Sequence, residues 1–238
     1  MNRRILDISL PLSVATPAWP GDPPFAMTRL ADMASGDMAT VSHLSMSAHA
    51  GTHVDAPAHF LTGGADVADL PLEAMIGPAY LADAVAAAGP PRRGAGATPP
   101  SLTASDLAAI GIPDGVERLL LRTRGPGHEA PPAGVFDPEF VALAPDAARW
   151  LVERRLRLVG IDGPSIAPMA DAGTTHRVLL RAGVVIVEGL DLRDAAAGHH
   201  DLVCLPLRVP GAEGAPARAV LISPPGAAGG KPIARDGR

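Results

Sequence analysis

At 238 residues, 47% of them hydrophobic, the chain can bury one sizeable core and is too apolar to be disordered. A net charge of −5 with no basic run gives no grip on a phosphate backbone, and 3% aromatics leave few platforms for stacking nucleic-acid bases. Asp7 and Pro11 interrupt the opening MNRRILDISLPLS before a long apolar stretch develops, so neither signal peptide nor membrane span is predicted, and the expected location is cytoplasmic.

In chain order, residues 5–10 are a strand ended by Pro11. Four prolines then make 16–24 a stiff non-helical loop with Trp19 at its centre, where a large ring can wall a substrate cavity or cap the core. Over 40–48, Leu44 and Met46 alternate with Ser45 and Ser47, the pattern of a half-buried strand that delivers His49 on its polar side. His43, on that same side, is expected as a structural or surface histidine. The next stretch, SAHAGTHVDAPAHF, carries His49, His53, Asp55 and His59 within eleven positions. Imidazole and carboxylate suit zinc and neighbouring divalent metals. In one extended strand, positions 49 and 55 would lie about 20 Å apart, at about 3.3 Å per residue. No single ion spans that distance, so convergence requires a bend. Gly51 is where a bend is cheapest, and Pro57 stops regular helix or central strand beyond it.

A glycine-bearing loop over 61–77 leads to an alanine-rich strand over 79–88. Residues 90–100, rich in Pro, Gly and Ala, read as a surface loop. Thr103 and Asp106 stand in capping-box spacing at the start of a helix ending near Ile110, and 116–123 is the next strand. His128, in GPGHEAPP, has no partner at ligand spacing and is expected to be solvated. An amphipathic helix over 146–155, with Asp146 near its cap and Trp150 on its apolar side, precedes a buried strand over 156–161 that ends in Asp162. This strand–helix–strand order predicts that part of the sheet is parallel. Ser165, without a nearby His–Asp arrangement, is structural or substrate-contacting.

Thr174 and Thr175 are placed to cap a helix running to 182, with Gly183 in the C-terminal position and His176 in the first turn. Residues 184–187 (VVIV) form a strand ending in Glu188. A carboxylate there either reaches water at the strand end or serves as a ligand, since burying it unpaired is costly. His199 and His200 are expected on a surface turn, 202–207 and 217–222 as closing strands, and 224–238 as a disordered tail. Cys204, the single cysteine, reads as a buried small hydrophobe. No solenoid repeat, phosphate-cradling glycine pattern or GxSxG elbow is present.

The string HAGTHVDAPAH (49–59), with DISLPLSVATPAWPGD (7–22) before it and LVGIDGPSIAP (158–168) and THRVLLRAGVVIVEGL (175–190) after it, resembles the blocks of the metal-dependent cyclase family. That family includes bacterial kynurenine formamidases, and the resemblance extends over nearly the whole chain. It implies one α/β domain over 1–223 with a mixed, partly barrel-like sheet flanked by helices, the cyclase-type swivelling β/β/α fold. It also implies a divalent metal centre, with two zinc ions per subunit and manganese admitted by the same donors. By the resemblance, His49, His53 and Asp55 hold the first ion, His176 helps hold the second, and Asp55 and Glu188 bridge. The twelve residues from His176 to Glu188 match the family's remote pair.

Two carboxylates would leave such a pair of ions with positive charge enough to acidify water; zinc alone brings the pKa from ~15.7 to ~7. His59, outside that ligand set, is then the expected general base and later the acid to the leaving nitrogen. Trp19 matches a tryptophan that formamidases of the family set against the substrate ring. The implied reaction is hydrolysis of an N-formyl arylamine, N-formylkynurenine in tryptophan catabolism, to formate and kynurenine. Hydrolysis of a cyclic amide, as in isatin-type hydrolases, is the alternative within the family. A metal-binding protein without turnover is the alternative outside catalysis. The partner implied is a small molecule, with no nucleic acid and no membrane, and a homodimer or larger assembly with the Trp19 loop near its interface.

Overall fold

The structure, a computed structural model, describes residues 3–89, 100–125 and 134–223. The expected loop at 90–99, His128 and the tail at 224–238 lie outside the described residues. Among the described residues twelve strands and five α-helices follow in order: β1 (Arg4–Asp7), β2 (Ala26–Ala31), β3 (Val41–Ser45), β4 (His53–Asp55), α1 (Leu72–Met75), β5 (Ile76–Asp83), α2 (Val85–Ala88), β6 (Ser101–Leu102), α3 (Ala104–Ile110), β7 (Arg118–Arg122), β8 (Ala142–Leu143), α4 (Pro145–Glu153), β9 (Leu158–Ile161), α5 (Ala172–Arg181), β10 (Val185–Glu188), β11 (Gly198–Pro206) and β12 (Gly214–Ser223).

The main sheet runs β1-β12-β11-β5-β7-β9-β10-β4, and β4 pairs back onto β12. Strands β12 round to β4 therefore close into a barrel. Within it β5, β7, β9 and β10 are mutually parallel and the other pairings are antiparallel. The ten-residue β12 is long enough to take β4 along Gly214–Pro216 and β1 along Val220–Ser223 on one edge.

Strand alternation divides the apolar residues into two cores. Val54, Leu120, Leu158, Val185, Val187 and Cys204 join a cluster built from the strands and lying inside the barrel. Leu119, Leu121, Val159, Ile161 and Ile186 point the other way, where they pack with Leu107 of α3, Leu151 of α4 and Leu179 of α5. Each fully buried side chain of this kind contributes about 1.5–3 kcal/mol. Strands covered on both faces read as the unbroken apolar runs LVGI and VVIV, and their parallel arrangement is the one expected. The same alternation places the polar residues. Turning Val54 and Val187 into the barrel turns His53, Asp55 and Glu188 out, toward the layer that holds α5.

Several expected elements differ in detail. The strand over 40–48 stops at Ser45, pairs only with β2, and is exposed on both faces. Its Leu/Ser alternation has no second layer to bury the leucine, so Leu44 remains 51% exposed, and His43 is exposed with it. The strand over 79–88 ends at Asp83, whose Oδ1 accepts from the Val85 N–H, and the alanines beyond it turn helical as α2. Helix α5 starts at Ala172 and is capped by Asp171, which accepts from the Thr174 N–H, so His176 falls in the second turn and not the first. His199 and His200 lie on β11, not on a turn. His199 is exposed and packs on Tyr80 across the strand pair, whereas His200 is buried between the Ser223 hydroxyl and the Ala196 carbonyl. The Thr103/Asp106 capping box and the burial of Cys204 are as expected, with burial pushing the thiol up to about 12. No helix among the described residues is long and apolar enough to cross a membrane.

Two turns lock the barrel seam. Gly51 has φ +63, the bend the histidine spacing requires, and Gly189, just after β10, has φ +67. A Cβ at Gly189 would stand 2.4 Å from the Gly51 carbonyl oxygen. Thr52 ties the two together by donating its hydroxyl to the Gly189 carbonyl while accepting from the Leu10 N–H. Gly183 has φ +74 but open space around its Cβ position. Replacing Gly189 with Ala should therefore cost about 2–3 kcal/mol, against about 1 kcal/mol for Gly183→Ala, read as urea midpoints at unchanged slope. Equal losses would mean that the close approach to Gly51 is not tight.

Candidate metal centre

The five residues expected as ligands stand together in the seam between the barrel and α5. β10 and β4 pair with Glu188 opposite His53 and Ile186 opposite Asp55, so His53, Asp55 and Glu188 share one face. His176 reaches that face from α5, and the Gly51 bend folds His49 back over β12. Gly214 of β12 lies beneath His49, where a Cβ would approach the ring to 2.9 Å.

Asp55 is the hub. Its Oδ1 lies 3.0 Å from His49 Nδ1 and 3.5 Å from His53 Nε2, and its Oδ2 lies 3.4 Å from His176 Nε2. Glu188 spans the same pair of imidazoles, with Oε2 3.3 Å from His53 Nε2 and Oε1 3.1 Å from His176 Nε2. The Ile166 N–H donates to Glu188 Oε1 at 2.6 Å and fixes its orientation. The rings are oriented from behind. A carbonyl oxygen can only accept, so His53 Nδ1 donates to Gly51 and His176 Nδ1 to Ala172, at 3.0 and 2.6 Å. Both Nε2 atoms are thereby aimed at the carboxylates, the arrangement usual for ligating histidines.

His176 Nε2 and Glu188 Oε1 make a hydrogen bond, but the approaches to Asp55 are short and out of line. Both Asp55 oxygens and the Nε2 atoms of His49 and His53 are buried without a hydrogen-bond partner. Orphaned buried polar atoms are costly, and here they converge on shared space. Imidazole lone pairs facing carboxylates repel unless a cation stands between them. Without metal, protons fill that role. Burial alone would push His53 and His176 toward the neutral form, but the hydrogen bonds and charges of Glu188 and Asp55 override it and hold them up to about 9 and about 10. In return, although burial opposes ionisation, Asp55 is held well below the usual carboxylate range by His176, His49 and His53, and Glu188 is held below it by His176 and His53. A set of nitrogen and oxygen donors without thiolate fits a divalent ion such as zinc or manganese.

Two groupings of donor atoms lie within 4.8 Å of one another, His53–Asp55–Glu188 and His49–Asp55–His59, and Asp55 belongs to both. The second includes His59, which the sequence reading leaves outside the ligand set. His59 follows Pro57 in a single 3₁₀ turn. Its ring stacks on His49 at 4.1 Å and meets Phe60 edge-on at 4.3 Å. Burial lowers its pKa, so the ring is neutral near pH 7.

A cavity of about 760 Å³ opens over this cluster. Trp19 lines it, with its edge against Phe136 at 5.0 Å and Phe140 at 6.3 Å, so the ring both walls the cavity and leans on the core. Ser47 donates to Asp22 at 2.6 Å, tying the Trp19 loop to the segment before His49. Ser165 is buried at the cavity wall, its hydroxyl accepting from the Ala167 N–H. Sequence reasoning passed over Phe60, Arg124, Phe136, Asp137 and Glu213, all of which line the cavity. Phe60 adjoins His59 in the motif and was within reach of that reading. Glu213, 3.4 Å from His49 Nε2, arrives only because β12 closes onto β4, which no local pattern announces.

Residues 6–168 match the family model described as Putative cyclase. Cyclase-like protein 1 of Arabidopsis thaliana is 38% identical over 228 residues, covering 92% of this chain and 85% of that protein. A kynurenine formamidase of Maricaulis maris (strain MCS10) is 37% identical over 219 residues, covering 92% of this chain and 97% of its own. Among solved structures, a predicted metal-dependent hydrolase from Bacillus stearothermophilus superposes with a TM-score of 0.74 at 31% identity, over 93% of this chain and 98% of that one. With the family model matched across 6–168 and relatives of this identity covered almost end to end, the chain belongs to the cyclase family.

Proposed function

We propose that this protein is a metal-dependent hydrolase of non-peptide C–N bonds that removes the formyl group from an N-formyl arylamine, N-formylkynurenine foremost, giving formate and the free amine. The observation that supports this most is the cluster of orphaned buried donors centred on Asp55, set at the base of an aromatic-walled cavity. The kynurenine formamidase among the relatives supports the substrate class.

His49, His53, Asp55, His176 and Glu188 would hold one or two divalent ions, zinc first among them, with Asp55 shared. Such ions supply Lewis acidity at an amide carbonyl and lower the pKa of water to ~7. The chain's own groups do the remainder. Trp19 lines the cavity and would pack against the aryl ring. His59, neutral and at the cavity edge of the cluster, accepts a proton from the attacking water on a ring nitrogen and returns it to the departing nitrogen. A protein that only stores metal needs no such spare base.

Three outcomes test this reading. Protein stripped with a chelator should regain zinc or manganese, measured by elemental analysis after dialysis, and Asp55→Asn should abolish uptake at every site because both donor groupings share it. Retention of metal by that variant would remove Asp55 from the centre. Next, His59→Ala should lower kcat by about 10²-fold or more with metal content unchanged. If metal leaves together with activity, His59 is a ligand and the base lies elsewhere. Finally, a panel of N-formyl arylamines and cyclic amides should release formate and no ring-opened acid. Ring opening alone would move the substrate to cyclic amides, and stoichiometric metal binding without either product would leave a storage protein.

A further inference from the structure

The cavity is rich in acids: Asp22, Asp137, Asp162, Glu188 and Glu213 all line it. Arg124 is the only arginine or lysine lining it among the described residues. Its main chain is firmly placed. Asp162, buried at the end of β9, accepts from the Thr123 and Arg124 N–H groups at 3.0 Å and from the Thr123 hydroxyl at 2.6 Å. Its guanidinium is not. It lies beside Asp137 at an N···O separation of 3.8 Å, with side chains 28% and 31% exposed. Arg193, by contrast, grips Asp191 through two bonds of 2.8 and 2.7 Å. A guanidinium carries five N–H donors and a carboxylate about four acceptor positions, so the Arg124–Asp137 pair has both to spare. It also adjoins the aromatic wall: Asp137 follows Phe136, which packs on Trp19.

We propose that Arg124 and Asp137 read the zwitterionic head of an α-amino acid whose aryl end lies against Trp19. The ligand's carboxylate accepts from the Arg124 guanidinium, and its ammonium donates to the Asp137 carboxylate. Two opposite charges held side by side but loosely are complementary to one small group that carries both. A carboxylate entering so acidic a cavity is repelled unless this arginine meets it, and an ammonium would otherwise compete with the arginine for Asp137. This inference rests on the formamidase reading and narrows it to N-formyl arylamines that carry an amino-acid side chain, setting aside plain formanilides.

The test is ligand binding to the metal-loaded protein, followed by tryptophan fluorescence or calorimetry. Its probes are kynurenine, kynuramine (which lacks the carboxylate) and desaminokynurenine (which lacks the ammonium). The wild type should bind kynurenine at least about tenfold more tightly than either analogue, the scale of one charge-assisted hydrogen-bonded pair. Arg124→Met should bring the kynurenine-to-kynuramine ratio to about one, and Arg124→Lys should restore part of it. Asp137→Asn should collapse the kynurenine-to-desaminokynurenine ratio instead. Unequal responses of the two ratios also exclude general misfolding of the variants. A wild type that binds kynurenine no better than kynuramine, a ratio that survives Arg124→Met, or binding of none of the three would overturn the proposal. Ratios as expected with no formate released from N-formylkynurenine would refute the formamidase reading and leave head-group recognition standing. Equal kcat/KM on N-formylkynurenine and formanilide would do the reverse.

Discussion

The architecture turns on one buried carboxylate. Asp55 has no solvent exposure, lies on a three-residue strand, and is approached by three imidazoles. Glu188 is nearly as buried and shares two of those imidazoles. Two carboxylates this close and this deeply buried are tolerable only if cations stand among them, because desolvation costs several kcal/mol per ion. Protons on His53 and His176 meet that need in part. They do not satisfy the geometry, since both Asp55 oxygens still lack an aligned donor. A divalent ion, indifferent to hydrogen-bond angles and carrying twice the charge, answers both deficits together. Packing alone would be better served by apolar residues here, so the retained charges point to chemistry.

That carboxylate can be held only because the barrel closes at its weakest point. β4 has three residues, too few to stand alone, and gains its place by pairing with β10 on one side and β12 on the other. The Ala56 N–H extends the second pairing by donating to the Glu213 carbonyl at 2.8 Å. Thr52 and the two left-handed glycines at 51 and 189 bring the chain into and out of this seam without a side chain in the way. Closure and ligand placement are therefore one structural event. A substitution that loosens the seam loses fold stability and site geometry together, whereas one at Arg181, exposed at the end of α5, loses neither.

What the sequence disclosed follows from range. The Gly51 bend was legible because four donors on a straight strand could not meet, an argument needing only chain geometry. The VVIV run before Glu188 was legible because strands covered on both faces lose their alternation. The capping box from Thr103 to Asp106 is a four-residue signal and survived intact. Errors came where a local pattern depended on what lay across from it. Leu44 and Met46 alternate like buried residues, yet β3 meets only β2, and both its faces stay in solvent. His200 sits in an Ala/Gly-rich stretch, but the β11–β12 pairing brings Ser223 to it. Thr174 and Thr175 looked like caps because the acid that does the capping, Asp171, stands one position before the helix.

The division between strands and loops separates chemistry from choice of substrate. His53, Asp55 and Glu188 are strand residues pinned by ladder hydrogen bonds, and His176 is set by a helix packed on the same barrel. Such positions move little, as a reaction centre requires. Trp19, Arg124, Phe136 and Asp137 occupy connections, and only Arg124 among them has its main chain tied to a strand end, through Asp162. Connections tolerate change far better than ladders do. Walls built from connections can therefore change while the strand-borne floor stays as it is. In this chain Arg124, Asp137 and the rings of Trp19 and Phe136 stand around the cavity above that floor, so whatever distinguishes one ligand from another there rests on residues that no ladder hydrogen bond fixes.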